Sequence, residues 1–373
     1  MNFIRENIAK ILIFIGVLII FIIIFSLIFG RNKLKRETTY FDLEDKLLTA
    51  AKKYVNDNPK LLPKTEEETN KINLDTLINS KYLDTLISID NENVKCNGYA
   101  QLIYKNKKNM VVPYLKCGKY YETKTIADYI ISNETIVSSG DGLYQYNDSY
   151  IYRGENPKNY LILGDKLYRI IEINKNGEVR LISDSKFGQY FIWDNRYNVE
   201  KNAYVGINNY SKSRLKDSFT FIIDNNSFEE NTDYNYFSHQ EIDKLIPHDI
   251  CVGKRPSNYG GIDNNHECQT VEKDQRLGLI TAGDYARASV DPNCKSIFDK
   301  SCINYNYFSK ISDAFRTITA VSDNTYQIFY INNGYADFTK ASNSFRANLV
   351  LYIDKLSLYS NGDGSYQTPY KVR

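Results

Sequence analysis

The stretch NYLILGDKLYRIIEINKNGEVRLIS, residues 159–183, reads as three strands in succession. Residues 159–163 and 166–173 are rich in leucine, isoleucine and tyrosine and flank Gly164-Asp165, a two-residue hairpin connection. Asn174-Lys-Asn-Gly177 makes the next turn and leads into residues 178–183. A three-stranded meander at this position predicts a β-rich module over residues 148–373. Further along, residues 326–331 and 349–353 read as strands. Ser238-x-x-Glu241 and Thr281-x-x-Asp284 have the spacing of helix caps. No period of 20–50 residues recurs, which excludes a solenoid or propeller.

Upstream the pattern changes. Thr39-x-x-Asp42 caps an amphipathic helix that places Leu47, Leu48, Ala51, Tyr54 and Val55 on one face and stops at Asn58-Pro59. A polar loop follows, then a short helix with Leu74, Leu77 and Ile78. Residues 99–104 and 110–115 read as a hairpin around the loop 105–109. These elements form a small α+β module over residues 37–125, and residues 126–147 are expected to be a linker whose loosest point is Ser138-Ser-Gly-Asp-Gly142.

At the N-terminal side, ILIFIGVLIIFIIIFSLIF runs from Ile11 to Phe29 without a charge, long enough to cross the hydrocarbon core of a bilayer as one helix. A cleaved signal peptide is the competing reading. Its apolar region is usually about 7–15 residues long with a small-residue cleavage site, and Ile28-Phe29-Gly30 does not supply one. Residues 1–36 are therefore read as an uncleaved anchor with its basic flanks. Arg5 and Lys10 precede the span, and Arg31, Lys33, Lys35 and Arg36 follow it, a count that would place the bulk of the chain in the cytoplasm.

The six cysteines, Cys96, Cys117, Cys251, Cys268, Cys294 and Cys302, point the other way. Antiparallel partners have a constant positional sum. Cys96 and Cys117 are symmetric about the centre of the predicted hairpin and face each other at its open end, within reach of a disulfide. Local bridges Cys96–Cys117, Cys251–Cys268 and Cys294–Cys302 are the preferred pairing and imply an oxidising compartment. The alternative is zinc held by His248, Cys251, His266 and Cys268, although H-x2-C followed by H-x-C is not a standard finger spacing.

The 373 residues suffice for two to three domains, and 42% hydrophobic with 25% charged residues excludes a disordered or polytopic chain. The net charge is +2, but beyond residue 36 acidic residues outnumber basic ones, so nucleic acid is not an expected partner. No P-loop, G-x-S-x-G, H-E-x-x-H or G-x-G-x-x-G motif is present, and no cofactor is expected. The Asn361-Gly-Asp-Gly364 and Ser322-Asp-Asn324 turns lack the calcium-loop pattern. The 32 tyrosines are the unusual asset. Two clusters reading Y-N-Y-F are candidate ligand-binding surfaces: Tyr234, Tyr236 and Phe237, and Tyr305, Tyr307 and Phe308. The simpler reading of the same residues is core and strand filling.

The single-span segment, the LLTAAKKYV helix, LINSKYL, and the C-x-GY…PYLKCGKYY hairpin together resemble the pilin-like ectodomains of low-G+C Gram-positive surface proteins, over residues 1–125. Phe3-Ile-Arg-Glu6 does not reproduce a prepilin cleavage leader. The run RGENPKNYLILGDKLYRIIEI, then LGLITAGDYARAS, then RANLVLYIDKLSLYSNGDGSYQTPYKV is similar to an uncharacterised bacterial surface-protein domain, over residues 148–373. That resemblance implies a fold of the C-type-lectin-like or formylglycine-generating-enzyme-like group. Ala347 stands where proline is usual, and Phe315-Arg316-Thr317 where tryptophans are common. The expectation is an α+β, membrane-anchored, extracellular binding protein without catalytic activity, its partners the bilayer and a glycan or surface protein. A minor pilin-like subunit and a cell-wall glycan-active enzyme are the alternatives.

Overall fold

The computed structural model describes residues 39–105, 108–187, 189–225, 237 and 239–373. The expected membrane span, residues 11–29, lies outside them; among the described residues no helix is long and apolar enough to cross a membrane. The chain is mixed α+β with mostly strands, and divides into two compact units, Met1–Glu122 and Thr123–Arg373.

In the first unit, helix α1 (Tyr40–Asp57) begins with a complete capping box: the Thr39 amide donates to Asp42 Oδ2 at 2.6 Å, and the Asp42 amide to Thr39 Oγ1 at 3.3 Å. Strand β1 (Thr69–Asn73), helix α2 (Leu74–Asn79), β2 (Asn97–Lys105), β3 (Lys108–Cys117) and β4 (Tyr121–Glu122) follow, and the strands form one antiparallel sheet in sequence order. Leu43, Leu47, Ala50, Ala51 and Val55 of α1 share a core with Ile72, Ala100, Leu102 and Leu115 of the sheet. The β2–β3 register runs from Asn97 opposite Lys116 to Lys105 opposite Lys108, the constant sum expected, and Cys96 and Cys117 close its base with Cα atoms 4.1 Å apart. Strand β1 lies within what reads in sequence as polar loop; only Ile72 of its five residues is buried, too little for a period-2 signal. Replacing both Cys96 and Cys117 with serine is expected to lower this unit's stability by about 3 kcal/mol, because the bridge closes a loop of about twenty residues. Urea unfolding of the full chain, followed by a tyrosine-sensitive probe, checks this; an unshifted first transition would refute it.

The second unit does not begin after a linker. Thr125 Oγ1 accepts the Asp128 amide and starts α3 (Ile126–Asn133), whose Ile126, Ala127 and Ile130 are core residues. Strand β5 (Gly142–Tyr146) then pairs with β6 (Ser149–Arg153). The turn between them and α3 is fixed rather than loose: both Asp141 carboxylate oxygens accept backbone amides, from Glu155 and Asn156. Gly154 permits this approach, since a Cβ there would lie 2.1 Å from Asp141 Oδ1.

The predicted meander is β7 (Tyr160–Leu163), β8 (Lys166–Ile173) and β9 (Val179–Ser183). After β10 (Tyr190–Ile192) come α4 (Arg214–Asn225), α5 (His239–Lys244), β11 (His248–Cys251), β12 (Lys254–Arg255), β13 (Val271–Gln275), α6 (Ala282–Ala288) and α7 (Phe308–Ile311). The remaining strands are β14 (Ala314–Val321), β15 (Gln327–Asn332), β16 (Tyr335–Lys340), β17 (Ser344–Arg346), β18 (Val350–Ile353), β19 (Tyr359–Asn361) and β20 (Tyr370–Val372). The main sheet has eight strands in the order β18-β9-β8-β7-β20-β19, with β6 on the second half of β8 and β5 beyond it. A second sheet runs β12-β14-β15-β16. One continuous core fills the unit, with Trp193 fully buried in it. All five residues of β9 are buried, Arg180 among them. A strand covered on both faces has no solvated side for a guanidinium, so Arg180 needs a buried partner.

Candidate functional site

That partner builds the site. Asp284 is the third residue of α6 and completes the capping box begun by Thr281: its carboxylate accepts the Thr281 amide at 2.8 Å, and its own amide donates to Thr281 Oγ1 at 3.0 Å. The same carboxylate, 1% exposed, accepts a two-pronged contact from Arg180 Nη1 at 3.1 Å and Nη2 at 2.7 Å. Arg287, one turn along α6, also donates to it, and its second nitrogen donates to the Ile262 carbonyl at 3.0 Å. Asn264 Nδ2 adds a fourth side-chain donor at 3.1 Å. Burial raises the Asp284 pKa; the two guanidinium groups and the Thr281 amide outweigh it and hold the carboxyl well below the usual range.

Of these residues Arg180, Asn264, Thr281 and Arg287 line a cleft of about 330 Å³, at the small end of ligand sites, and Asp284 holds them in place without lining it. Glu172, from β8, approaches Arg180 at 3.8 Å and is partly exposed. The Tyr352 ring lies under His248, centroids 3.7 Å apart, with Arg180 beyond it at 6.0 Å. Burial pushes the Tyr352 phenol up, so it is a neutral donor at any physiological pH. His248 Nδ1 sits 3.2 Å from Glu178 Oε2, which Asn174 also reaches at 2.7 Å. The Cys251–Cys268 bridge and Asn265 also line the cleft. What results is a set of planar polar side chains, held by buried ion pairs beside an aromatic ring. No serine, threonine or cysteine lies within hydrogen-bond reach of His248 among the described residues, so no nucleophile–base pair is assembled there.

Sequence-predicted residues are distributed differently. All six cysteines are bridged, Cys96 to Cys117, Cys251 to Cys268 and Cys294 to Cys302, and such bridges are consistent with an extracellular protein. Their places differ. Cys96 and Cys117 belong to the first unit, and the Cys251–Cys268 bridge lines the cleft. Cys294 and Cys302, with Cα atoms 4.7 Å apart, staple the turn ahead of α7 and do not line the cleft; there the Cys302 carbonyl accepts Asn306 Nδ2 at 2.7 Å. The zinc alternative is therefore corrected: Cys251 and Cys268 are bonded to each other and offer no thiolate, His248 faces Glu178, and the His266 ring meets Tyr259 edge-on at 4.4 Å. The aromatic clusters are also reassigned. Tyr307 and Phe308 are fully buried and stack at 4.5 Å, with Arg169 over Tyr307. Phe237 is buried against Phe187. Tyr305 is exposed, and Tyr234 and Tyr236 lie outside the described residues. Asp363 of the Gly-Asp-Gly turn accepts the Ser365 amide at 3.1 Å and the Thr368 hydroxyl, and Asp323 accepts the Ser257 amide at 2.9 Å. Asp363 thus serves its own turn, while Asp323 ties its turn to the loop at Ser257.

Arg180, Asp284, Arg287 and Glu172 were not singled out as site residues by the sequence. One signal existed: an arginine flanked by Val179 and Leu181 within an apolar strand demands a buried counter-charge. The counter-charge lies 104 residues away, and spacing could not name it.

No model of a known family, no curated protein and no solved structure matches the chain.

Proposed function

We propose that this chain is a membrane-anchored surface protein whose second unit binds a glycan in the Arg180–Asp284 cleft without catalysing a reaction on it. The observation that carries the reading is the cleft's lining. Glu172, Asn264 and Asn265 present planar donors and acceptors suited to vicinal hydroxyls, while Tyr146 adds ring surface for the apolar faces of sugars. The ion pairs that orient these groups are formed before any ligand arrives, which lowers the ordering cost of binding. Anchoring rests on residues 11–29, and an extracytoplasmic location on the three bridges.

Intact cells treated with a membrane-impermeant maleimide are expected to label this protein only after reduction. Labelling of lysed cells without reductant, with intact cells silent, would place free thiols inside and end the surface reading. Glycan-array binding by the full chain in detergent tests the ligand class, and Glu172→Gln with Asn264→Ala should abolish the signal. A minor pilin-like subunit is a second reading, favoured by the helix-on-antiparallel-sheet form of the first unit directly after an apolar segment in sequence. Filaments co-purifying with the chain would support it.

A further inference from the structure

Beside the cleft, the pairing of β11 with β13 is irregular. His248 opposes Gln275 and Ile250 opposes Glu272, so Lys273 and Asp274 together face the single residue Asp249. This is a β-bulge, and Asp274 takes the left-handed conformation with φ +57°, its amide donating to Asp249 Oδ1 at 3.3 Å. A bulge re-aims the residues that follow it. Here those are Gln275, Arg276 and Leu277, and all three line two depressions at once: the cleft, and an adjoining groove of about 440 Å³ bordered by Phe219, Thr220 and Asp224 of α4. The two hollows therefore meet along one three-residue ridge.

Arg276 stands on that ridge. Arg180 and Arg287 commit their guanidinium groups to Asp284, but Arg276 has no hydrogen-bond, ion-pair or ring partner among the described residues. A half-buried guanidinium without a partner, at the junction of two hollows, has its donors available to a carboxylate or phosphate. Asp224 and Asp274 border the outer groove, so the negative charge belongs at the ridge and not along the whole ligand.

We infer that the ligand is a linear oligosaccharide carrying an acidic group between neutral sugars, laid across the ridge with that group on Arg276. The inference rests on the glycan reading of the cleft. The acidic group is a carboxylate or a phosphate diester; both suit a guanidinium, and separate glycans distinguish them.

The test measures binding of the full-length protein to an oligosaccharide with alternating acidic sugars, its carboxyl-reduced neutral form, and a phosphodiester-linked glycan. The acidic form, or the phosphodiester, is expected to bind about tenfold tighter than the neutral one, as one charge-assisted contact provides. Arg276→Gln should bring that ratio to about one. Thr220→Trp, an exposed position in the outer groove, should weaken long oligomers relative to disaccharides. Equal binding of acidic and neutral forms, or an unchanged ratio in Arg276→Gln, would overturn the inference and leave the glycan reading standing. Binding of no glycan, or of acidic peptides alone, would end both.

Discussion

Asp284→Ala is expected to cost about 3–5 kcal/mol of the second unit's stability and to eliminate binding in the cleft. The substitution removes the one carboxylate shared by Arg180, Arg287, Asn264 and the Thr281 amide. Arg180 would be left in β9 with only Glu172, 3.8 Å away, to face it. The reciprocal half of the α6 capping box, from the Thr281 amide to the carboxylate, would go too, while Thr281 Oγ1 would keep its bond to the residue-284 amide. A contrast separates charge from packing: Arg180→Met combined with Asp284→Leu removes both ionic partners together and should be less destabilising than Asp284→Ala alone. Denaturant midpoints of the two variants decide the point; if the pairwise replacement is the worse one, the ion pair is not what holds this wall. The same group sets a pH dependence. Its pKa is lower in the folded state than the unfolded value of about 3.9. The unfolded chain therefore binds the proton more readily, and the contribution is complete above about pH 4 and lost as pH falls through the folded value. Asp284→Asn should flatten the acid limb of a stability profile.

Glu267→Ala is expected to destabilise the same unit by a similar 3–5 kcal/mol or so, about the cost of breaking a buried ion pair. Arg255 and Glu267 are both fully buried. Arg255 Nε donates to Glu267 Oε1 at 2.9 Å and Nη2 to Oε2 at 3.0 Å, while its other hydrogens reach the Gly261 and Asp263 carbonyls. Thr319 Oγ1 completes the carboxylate from β14. Without Glu267, a fully desolvated cation would remain among carbonyl groups that cannot neutralise it. The loop pinned this way, residues 256–267, carries Asn264 and Asn265 to the cleft. Loss of binding should therefore accompany loss of stability, and both should recover partly in Glu267→Gln, which keeps the volume and one acceptor. A variant that binds normally while unfolding early would show that the loop finds its place without Arg255.

Local rules carried much of the architecture. The hairpin register and its disulfide follow from a positional sum, and Thr39-x-x-Asp42 and Thr281-x-x-Asp284 form the capping boxes their spacing predicts. The other two bridges, Cys251–Cys268 and Cys294–Cys302, likewise join sequential neighbours. Residues 126–147 are not a linker, because Thr125-x-x-Asp128 is one more capping pattern: it starts α3, and the helix is core. The aromatic clusters show a different limit. Tyr305 and Tyr307 are two residues apart in one short motif, yet one is exposed and the other fully buried. The difference is made by Arg169, Tyr285 and Phe315, which arrive from other strands and helices to cover Tyr307 and Phe308. The cleft is likewise assembled from β8, β9, α6, β11, β13 and β18, so residue types alone gave its ingredients without its location.

The eight-stranded sheet also sets an order of events during synthesis. Strand β20 lies between β7 and β19, and Tyr370 pairs with Leu161 across 209 residues of chain. Until residue 372 has left the ribosome, β7 has one bare edge in the middle of what will become the sheet. Such an edge is a template for pairing with other chains, and contacts this distant in sequence close slowly. A nascent chain of this protein therefore passes through a long interval in which the meander strands are complete and their neighbour has not been made. Ribosomes that stall beyond residue 183 would release fragments with a finished meander and nothing to close it, the species most in need of a holding chaperone.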